Sequence, residues 1–403
     1  MQKKISLLLS VLLVVTVALA AGCVLYMKNR PTRQNAIEST QETEMISVTA
    51  SETKTSVTEQ IEETESGFET EAESEPVIAE TETKEDEIVT ITISAAGDVT
   101  LGTLHNHGYE LSLTEVYDNH TPAYFFENVK PIFEADDMTL VNYEGVLTLS
   151  DERVEKKYNM KGDPEYVHIL TEGDIEAVSF ANNHRMDYGQ QGSDDTVAAF
   201  ESVGITYAYD TIVGYYETKG ITIGYISFNE VYDGEAVEEF IRSGMEELKA
   251  AEVDLIIACG HWGKELHHYP QEYQTQLAHM CIDLGADLVV GHHPHVLQGV
   301  DIYNGKYIVY SLGNFCFGGN KNPKDKDSMI FQQTFTFVNG EHVQDDNIKI
   351  IPVRISSVSH INDYKPTPAQ GDEAKNIIDR VNEYSAGFGL QFDYEGNILK
   401  EKE

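Results

Sequence analysis

The side chains best suited to chemistry sit in short polar clusters, most of them closing a run of apolar residues. They are Asp98 after ITISAAG; Asn142 and Glu144 in VNYEG; Asn183, His184 and Asp187 in ANNHRMDYG; His261 and Glu265 in GHWGKE; and His293 and His295 in GHHPHV. Carboxylate, imidazole and amide donors in one set suit borderline divalent cations such as Zn, Mn or Fe(II). In one extended turn His293-x-His295 directs two imidazoles to the same side, because residues i and i+2 share a face. A lone histidine after a strand is more often hydrogen-bonded inside the fold than bound to metal. Several Gly-flanked strand ends of this kind in one chain point instead to a shared site.

The elements that must carry these residues are buried strands. Ile88–Ala95, Asp174–Ala181, Val253–Ala258, Ala286–Val290 and Tyr307–Tyr310 are apolar runs that pass directly into the polar clusters or into Ser311-Leu312-Gly313-Asn314-Phe315. Continuous runs of this length suit strands covered on both faces. Between them the spacing predicts helices. Val237, Phe240, Ile241 and Leu248 share a face near 234–250; Tyr273, Leu277, Cys281 and Leu284 share one near 270–285, ending at Gly285. Met329–Val338 and Ile348–Val358 read as antiparallel strands without intervening helices. Alternating strands and helices give an α/β layered fold, whose sites gather at strand ends.

Taken together, GDVTLG, VNYEG, ANNHRMDYG, GHWGKE, GHHPHVLQG and YSLGNF resemble the bacterial CapA (poly-γ-glutamate capsule synthesis) family, in that family's order over about residues 91–318. That family is related to the calcineurin-like metallophosphatases. The resemblance implies a four-layer α/β/β/α sandwich with helices outside two packed sheets, and a membrane-anchored, extracytoplasmic location. Asp98 matches the Asp of the metallophosphatase Asp-x-His, with Thr100 in the His position. Asn142-Tyr143-Glu144 stands where Gly-Asp-x-x-Asp normally supplies a bridging Asp. Asn183-His184 matches the Asn-His motif, His261 the isolated ligand, and His293 and His295 the final pair. The carry-over implies one nearly complete metal site from Glu144, Asn183, His261 and His293. A second retains Asp98 and His295, with Glu144 as the bridge. His184 is then the acid or base, oriented by Asp187 or Glu144; an intra-loop hydrogen bond is the other reading of Asp187. Trp262, the only tryptophan, either lines the pocket or packs a strand end.

Two functions follow. One is a metal-dependent hydrolase or transferase at the cell surface, acting on a phosphoester or on the amide of a γ-glutamyl polymer. The other is a non-catalytic component of polymer assembly or export with a degenerate metal site. Thr100 and the missing Gly-Asp-x-x-Asp favour the second; the density of His, Asn and acids favours the first. A purely structural fold without metal is a third reading.

Charge bears on the partner. The 403 residues carry 28 Lys+Arg against 68 Asp+Glu, a formal net charge of −40, which excludes a nucleic-acid partner because phosphate contacts need clustered Lys and Arg. Residues 1–30 carry +4, 31–88 carry −14 and 89–403 carry −30. A body this acidic repels an anionic polymer unless cations or a basic patch intervene, so binding to polyglutamate is expected to require a divalent cation. Lys156-Lys157 and Lys321, Lys324 and Lys326 are the candidate basic residues, although the segment of the latter three reads more readily as an ordinary mobile loop.

Outside the body, Ile5–Met27 is uncharged and almost unbroken apolar sequence. As a helix it spans about 35 Å against a hydrocarbon core of roughly 30 Å, long enough for an N-terminal transmembrane anchor. Ala18-Leu19-Ala20 also fits a cleavage site and Ala20-Ala21-Gly22-Cys23 loosely fits a lipobox, so a cleaved signal and a lipoprotein anchored at Cys23 remain open. All three export the rest of the chain. Residues 31–88 hold 17 acids and 17 Ser+Thr with Phe68 as sole aromatic, a composition that cannot offset chain entropy and reads as a disordered acidic linker. The expected organisation is anchor 1–30, linker 31–88 and a folded domain 89–403, whose 319–403 part extends beyond the motifs. Cys259, Cys281 and Cys316 read as buried free thiols.

Overall fold

The computed structural model describes residues 86–343 and 347–399. The chain divides at Thr81/Glu82, and the described residues belong to the second unit, Glu82–Glu403. The expected anchor at 5–27 and nearly all of the expected linker lie outside the described residues. Among the described residues no helix is long and apolar enough to cross a membrane.

The apolar runs of the sequence form two large sheets. The first contains β1 (Ile88–Thr100), β2 (Met138–Tyr143), β3 (Ala177–Ser179) and β4 (Thr206–Ala208). The second is built from β5 (Gly214–Thr218), β6 (Ile221–Asn229), β7 (Leu255–His261), β8 (Leu288–His292), β9 (Val300–Tyr303) and β10 (Lys306–Val309). The chain then returns to the first sheet with β11 (Asn314–Phe317), β12 (Asp327–Val338) and β13 (Ile348–Arg354). The first sheet runs β13-β12-β1-β2-β3-β4, with β11 also paired to β1; the second runs β9-β10-β8-β7-β6-β5. Strands β1 to β4 are parallel, as are β6, β7, β8 and β10. The two late runs are antiparallel strands, as the sequence predicts.

Side-chain alternation explains why both sheets are buried on both faces. Ile91, Ile93 and Ala95 of β1 join Ile223, Tyr225, Leu255, Ile257 and Val290 of the second sheet in one apolar cluster. The intervening Ile256, Ala258 and Val289 point to the other side, against helices α2 (Val237–Ala250) and α3 (Glu272–Asp283). On the far face of the first sheet, Val141, Tyr143 and Val178 meet Phe200 of α1 (Gly189–Val203). Helix α4 (Gly371–Ser385) adds Ile377, Ile378 and Val381 to the inter-sheet cluster. The predicted helices match α2 and α3 to within a few residues, and Gly285 terminates the second with a φ of 98°. Some expected core residues are only half-buried, Phe240 in the first and Tyr273 and Leu284 in the second, and small residues such as Gly244 and Ala278 fill the face instead.

Register brings the polar strand ends together. Asp98 pairs with Asn142 on one side and Asn314 on the other, while in the second sheet Asn229, His261 and His292 lie abreast. The sheets are tied near this end by Ser179 and Ser227, whose hydroxyls are 2.7 Å apart. The close fit of β1 on the turn before β11 requires Gly97, since a Cβ there would lie 2.1 Å from the Gly313 carbonyl oxygen. The three cysteines are free and buried, and Cys259 points into the inter-sheet core.

Candidate metal centre

Glu144 is the middle of the site. It follows β2 directly, at a chain reversal completed by Gly145 with φ 140°, and is fully buried. The Thr100 hydroxyl donates to its backbone carbonyl at 2.6 Å, so this threonine fixes the turn and has its own hydroxyl proton committed there. Both carboxylate oxygens of Glu144 lack a hydrogen-bond donor. Instead, Oε1 faces ring nitrogens of three histidines: His295 Nε2 at 3.7 Å, His184 Nε2 at 3.8 Å and His261 Nε2 at 4.0 Å. Burial pushes the Glu144 carboxyl up to about 8, partly opposed by the charge of His295.

Two of the histidines, His184 and His295, are held by the nitrogen that faces away from Glu144. A carboxylate can only accept, so His184 Nδ1 donates to Asp187 Oδ2 at 2.8 Å and leaves Nε2 aimed at the centre. The same logic applies to His295, whose Nδ1 lies 3.0 Å from both Asp98 Oδ2 and Asn314 Oδ1. Asp98 has its second oxygen bonded by Asn142 Nδ2 at 2.9 Å, so in this arrangement it orients His295 and Asn142. His261 presents Nε2 to Asn183 Oδ1 at 2.9 Å. His293 lies beside His261 with ring centroids 4.7 Å apart and the planes inclined at 58°, and its Nδ1 has no partner. Burial drives its imidazole down to about 3, neutral with a lone pair available. Burial opposes protonation of His295, but Glu144 and Asp98 prevail and raise it to about 10.

This donor set fits a divalent cation. Glu144, His293 and His295 each offer a ligand atom within 4.8 Å of one another. A buried carboxylate with two unmet oxygens beside imidazole lone pairs is a borderline-metal environment, and the Asp98–His295 contact has the form of an outer partner that fixes a ligand's tautomer.

Of the ten sequence-identified residues, the eight given a ligand or acid–base role all reach this region, in three ways. Glu144, His293 and His295 form the triad; His261, Asn183 and His184 approach it; Asp98 and Asp187 stand behind His295 and His184. Glu265 is exposed and lines two cavities of about 350 and 560 Å³ that also touch His295, the first touching His184 as well. The histidine pair converges differently from an extended turn. His293 and His295 have φ of 95° and 58° around Pro294, a left-handed backbone that non-glycine residues hold only where surrounding structure enforces it. Trp262 is buried against Phe228 and Tyr310, its Nε1 donating to the Tyr310 carbonyl at 3.0 Å, so it packs the end of β7.

The basic patch is mostly committed elsewhere. Lys321 binds the carbonyls of Gly108 and Glu110, and Lys326 those of Ser359 and Ile361; Lys324 lines the larger cavity. Lys156 pairs with Asp187 and donates to the Asn183 carbonyl at 2.8 Å. Asn314 and Lys156 thus take positions at the site that sequence reasoning did not assign them; the only signal for Asn314 was its place in YSLGNF.

The family model described as "Bacterial capsule synthesis protein PGA_cap" matches residues 92–319. "PGA biosynthesis protein CapA" of Bacillus subtilis (strain 168) is 34% identical over 230 residues, 51% of this chain and 60% of that protein. The chain therefore spans less than two thirds of that relative's length. "Capsule biosynthesis protein CapA" of Bacillus anthracis is 27% identical over 317 residues, covering 72% of each chain. A "Probable polyglutamine synthesis accessory protein" of Mycobacterium tuberculosis (strain CDC 1551 / Oshkosh) is 25% identical over 294 residues, 64% of this chain and 74% of that one.

Proposed function

The chain belongs to the bacterial capsule synthesis family whose model it matches, and from that premise we propose that it serves poly-γ-glutamate synthesis or export through a divalent-metal pocket of hydrolase type. The relatives' names support the polymer. One observation carries the metal: a fully buried Glu144 carboxylate with no hydrogen-bond donor on either oxygen, facing three imidazole nitrogens at 3.7–4.0 Å. Glu144, His293 and His295 would hold the cation, with His261 and Asn183 beside them. When bound, it supplies Lewis acidity to a carbonyl or phosphoryl oxygen.

The protein's own groups do the rest. Asp187 keeps the His184 proton on Nδ1, so Nε2 faces the centre as an acceptor. Burial, only partly offset by Asp187, lowers the His184 imidazole and favours this neutral form. His184 at a cavity wall can then take a proton from an attacking group and return it to a leaving one. The layering supports the four-layer α/β/β/α reading: helices α1 on one side and α2 and α3 on the other enclose the two sheets. The apolar segment 5–27 supports a membrane-anchored, extracytoplasmic domain, and the acidic body supports a requirement for cation in polymer binding.

A polymer-binding component without turnover is the second reading. It is favoured by Thr100, which is hydrogen-bonded to a carbonyl in the place of a histidine ligand, and by Asp98, both of whose oxygens are taken. Incubating metal-loaded protein with polyglutamate and following chain length decides between them. Cleavage abolished by His184→Ala supports the hydrolase; metal-dependent binding without cleavage supports the second reading; neither binding nor cleavage refutes both.

A further inference from the structure

Beside Asn183 lies a further cavity of about 250 Å³. Its walls include Lys156, Arg185, Asp210, Asn229, Tyr232 and Asp233. The two cations are already answered: Lys156 by Asp187, and Arg185 by Asp210 with its guanidinium stacked 4.7 Å above the Tyr209 ring. The unmet groups are acceptors. Asn229, only 5% exposed, has an Oδ1 with no donor, and the enclosed Asp233 Oδ2 has none either. Among the described residues no cation lies within ion-pair distance of Asp233. A water molecule could donate to these oxygens but adds no charge, and Arg185, engaged with Asp210, acts on Asp233 without an ion-pair contact.

We propose that this cavity is a recognition site for a primary ammonium group, the free amino end of a γ-linked glutamate chain. An ammonium carries three N–H donors and a positive charge, which matches a buried amide oxygen beside a carboxylate. Placement links the site to the centre. Asn229 is the register neighbour of His261, and Asn183 both lines the cavity and faces His261 Nε2. An amino end seated here lies across the Asn183 side chain from His261. The polymer identity rests on the function proposed above; the ammonium chemistry rests on the cavity alone.

The test uses the full-length metal-loaded chain in detergent and measures binding of tri-γ-glutamate with a free amino end, its N-acetylated counterpart, and ethylammonium. The free amine should bind about tenfold or more tighter than the acetylated form, the effect of a charge-assisted hydrogen bond. Asp233→Asn and, independently, Asn229→Ser should reduce that preference to about twofold or less with bound metal unchanged. Equal binding of both oligomers leaves the polymer function standing and overturns the ammonium site, as does an undiminished preference in Asp233→Asn. Asp233-dependent binding of ethylammonium with neither oligomer bound supports the ammonium site and refutes the polymer. Failure of all three probes to bind refutes both.

Discussion

Replacing Glu144 by Gln should change how the metal-free protein's stability responds to pH. The carboxyl is fully buried and raised from 4.5 to about 8 by that burial, so between these values the native state holds a proton that the unfolded state has released. Stability therefore falls as pH rises through this window, at about 1.36 kcal/mol per unit. Between pH 5 and 7 the wild type should lose roughly 2.5 kcal/mol that the Gln variant keeps. Acids buried elsewhere are common to both proteins and cancel. His295, deprived of the Glu144 charge in the variant, shifts the comparison the same way, because less of its own stabilisation remains to be lost as pH rises. Urea unfolding in chelator, followed by fluorescence of the single buried Trp262, reads the difference. A saturating divalent cation should then reverse the order, stabilising the wild type by about 2.7 kcal/mol at a hundredfold excess over Kd and the variant hardly at all. Parallel pH slopes for the two proteins, or equal stabilisation by metal, would refute the reasoning.

Asp187→Asn keeps one oxygen for His184 and the Met160 amide but removes the negative charge and turns an amide N–H toward the Lys156 ammonium; it should destabilise by about 2–3 kcal/mol in urea unfolding and lower any His184-dependent turnover. Gly97→Ala drives a methyl to 2.1 Å from the Gly313 carbonyl and should lower stability by about 3 kcal/mol or prevent folding, read by circular dichroism melting. At the opposite end of the strands, burial raises Glu176 to about 7, so stability is lost as pH rises from about 4.5 to 7. Glu176→Gln should flatten that stretch by roughly 2 kcal/mol, and an unchanged slope would count against the burial.

The strand ends were legible because each polar cluster follows a β-branched run and is set off by glycine, as in Cys259-Gly260-His261 and Gly291-His292-His293. Helix α1 was not: its buried side is Gly192, Ser193, Thr196, Ala199 and Phe200, small and polar residues that leave almost no apolar period. The division of labour within the site was also hidden. Whether Asp98 faces a cation or His295 depends on the pairing of β11 beside β1, a contact made 216 positions away in the chain. The convergence of His293 and His295 depends on positive φ values, which no spacing rule for histidines encodes.

Metal content tests the central claim most directly. The full-length chain, purified and equilibrated with Zn, Mn and Fe(II) in turn, should retain about one equivalent of its preferred ion by elemental analysis, as expected for a single carboxylate–imidazole cluster. Retention should fall at least tenfold in Glu144→Ala and in His293→Ala, with the folded state confirmed by circular dichroism. A wild-type chain that binds none of the three ions, or variants that retain it undiminished, would contradict the account.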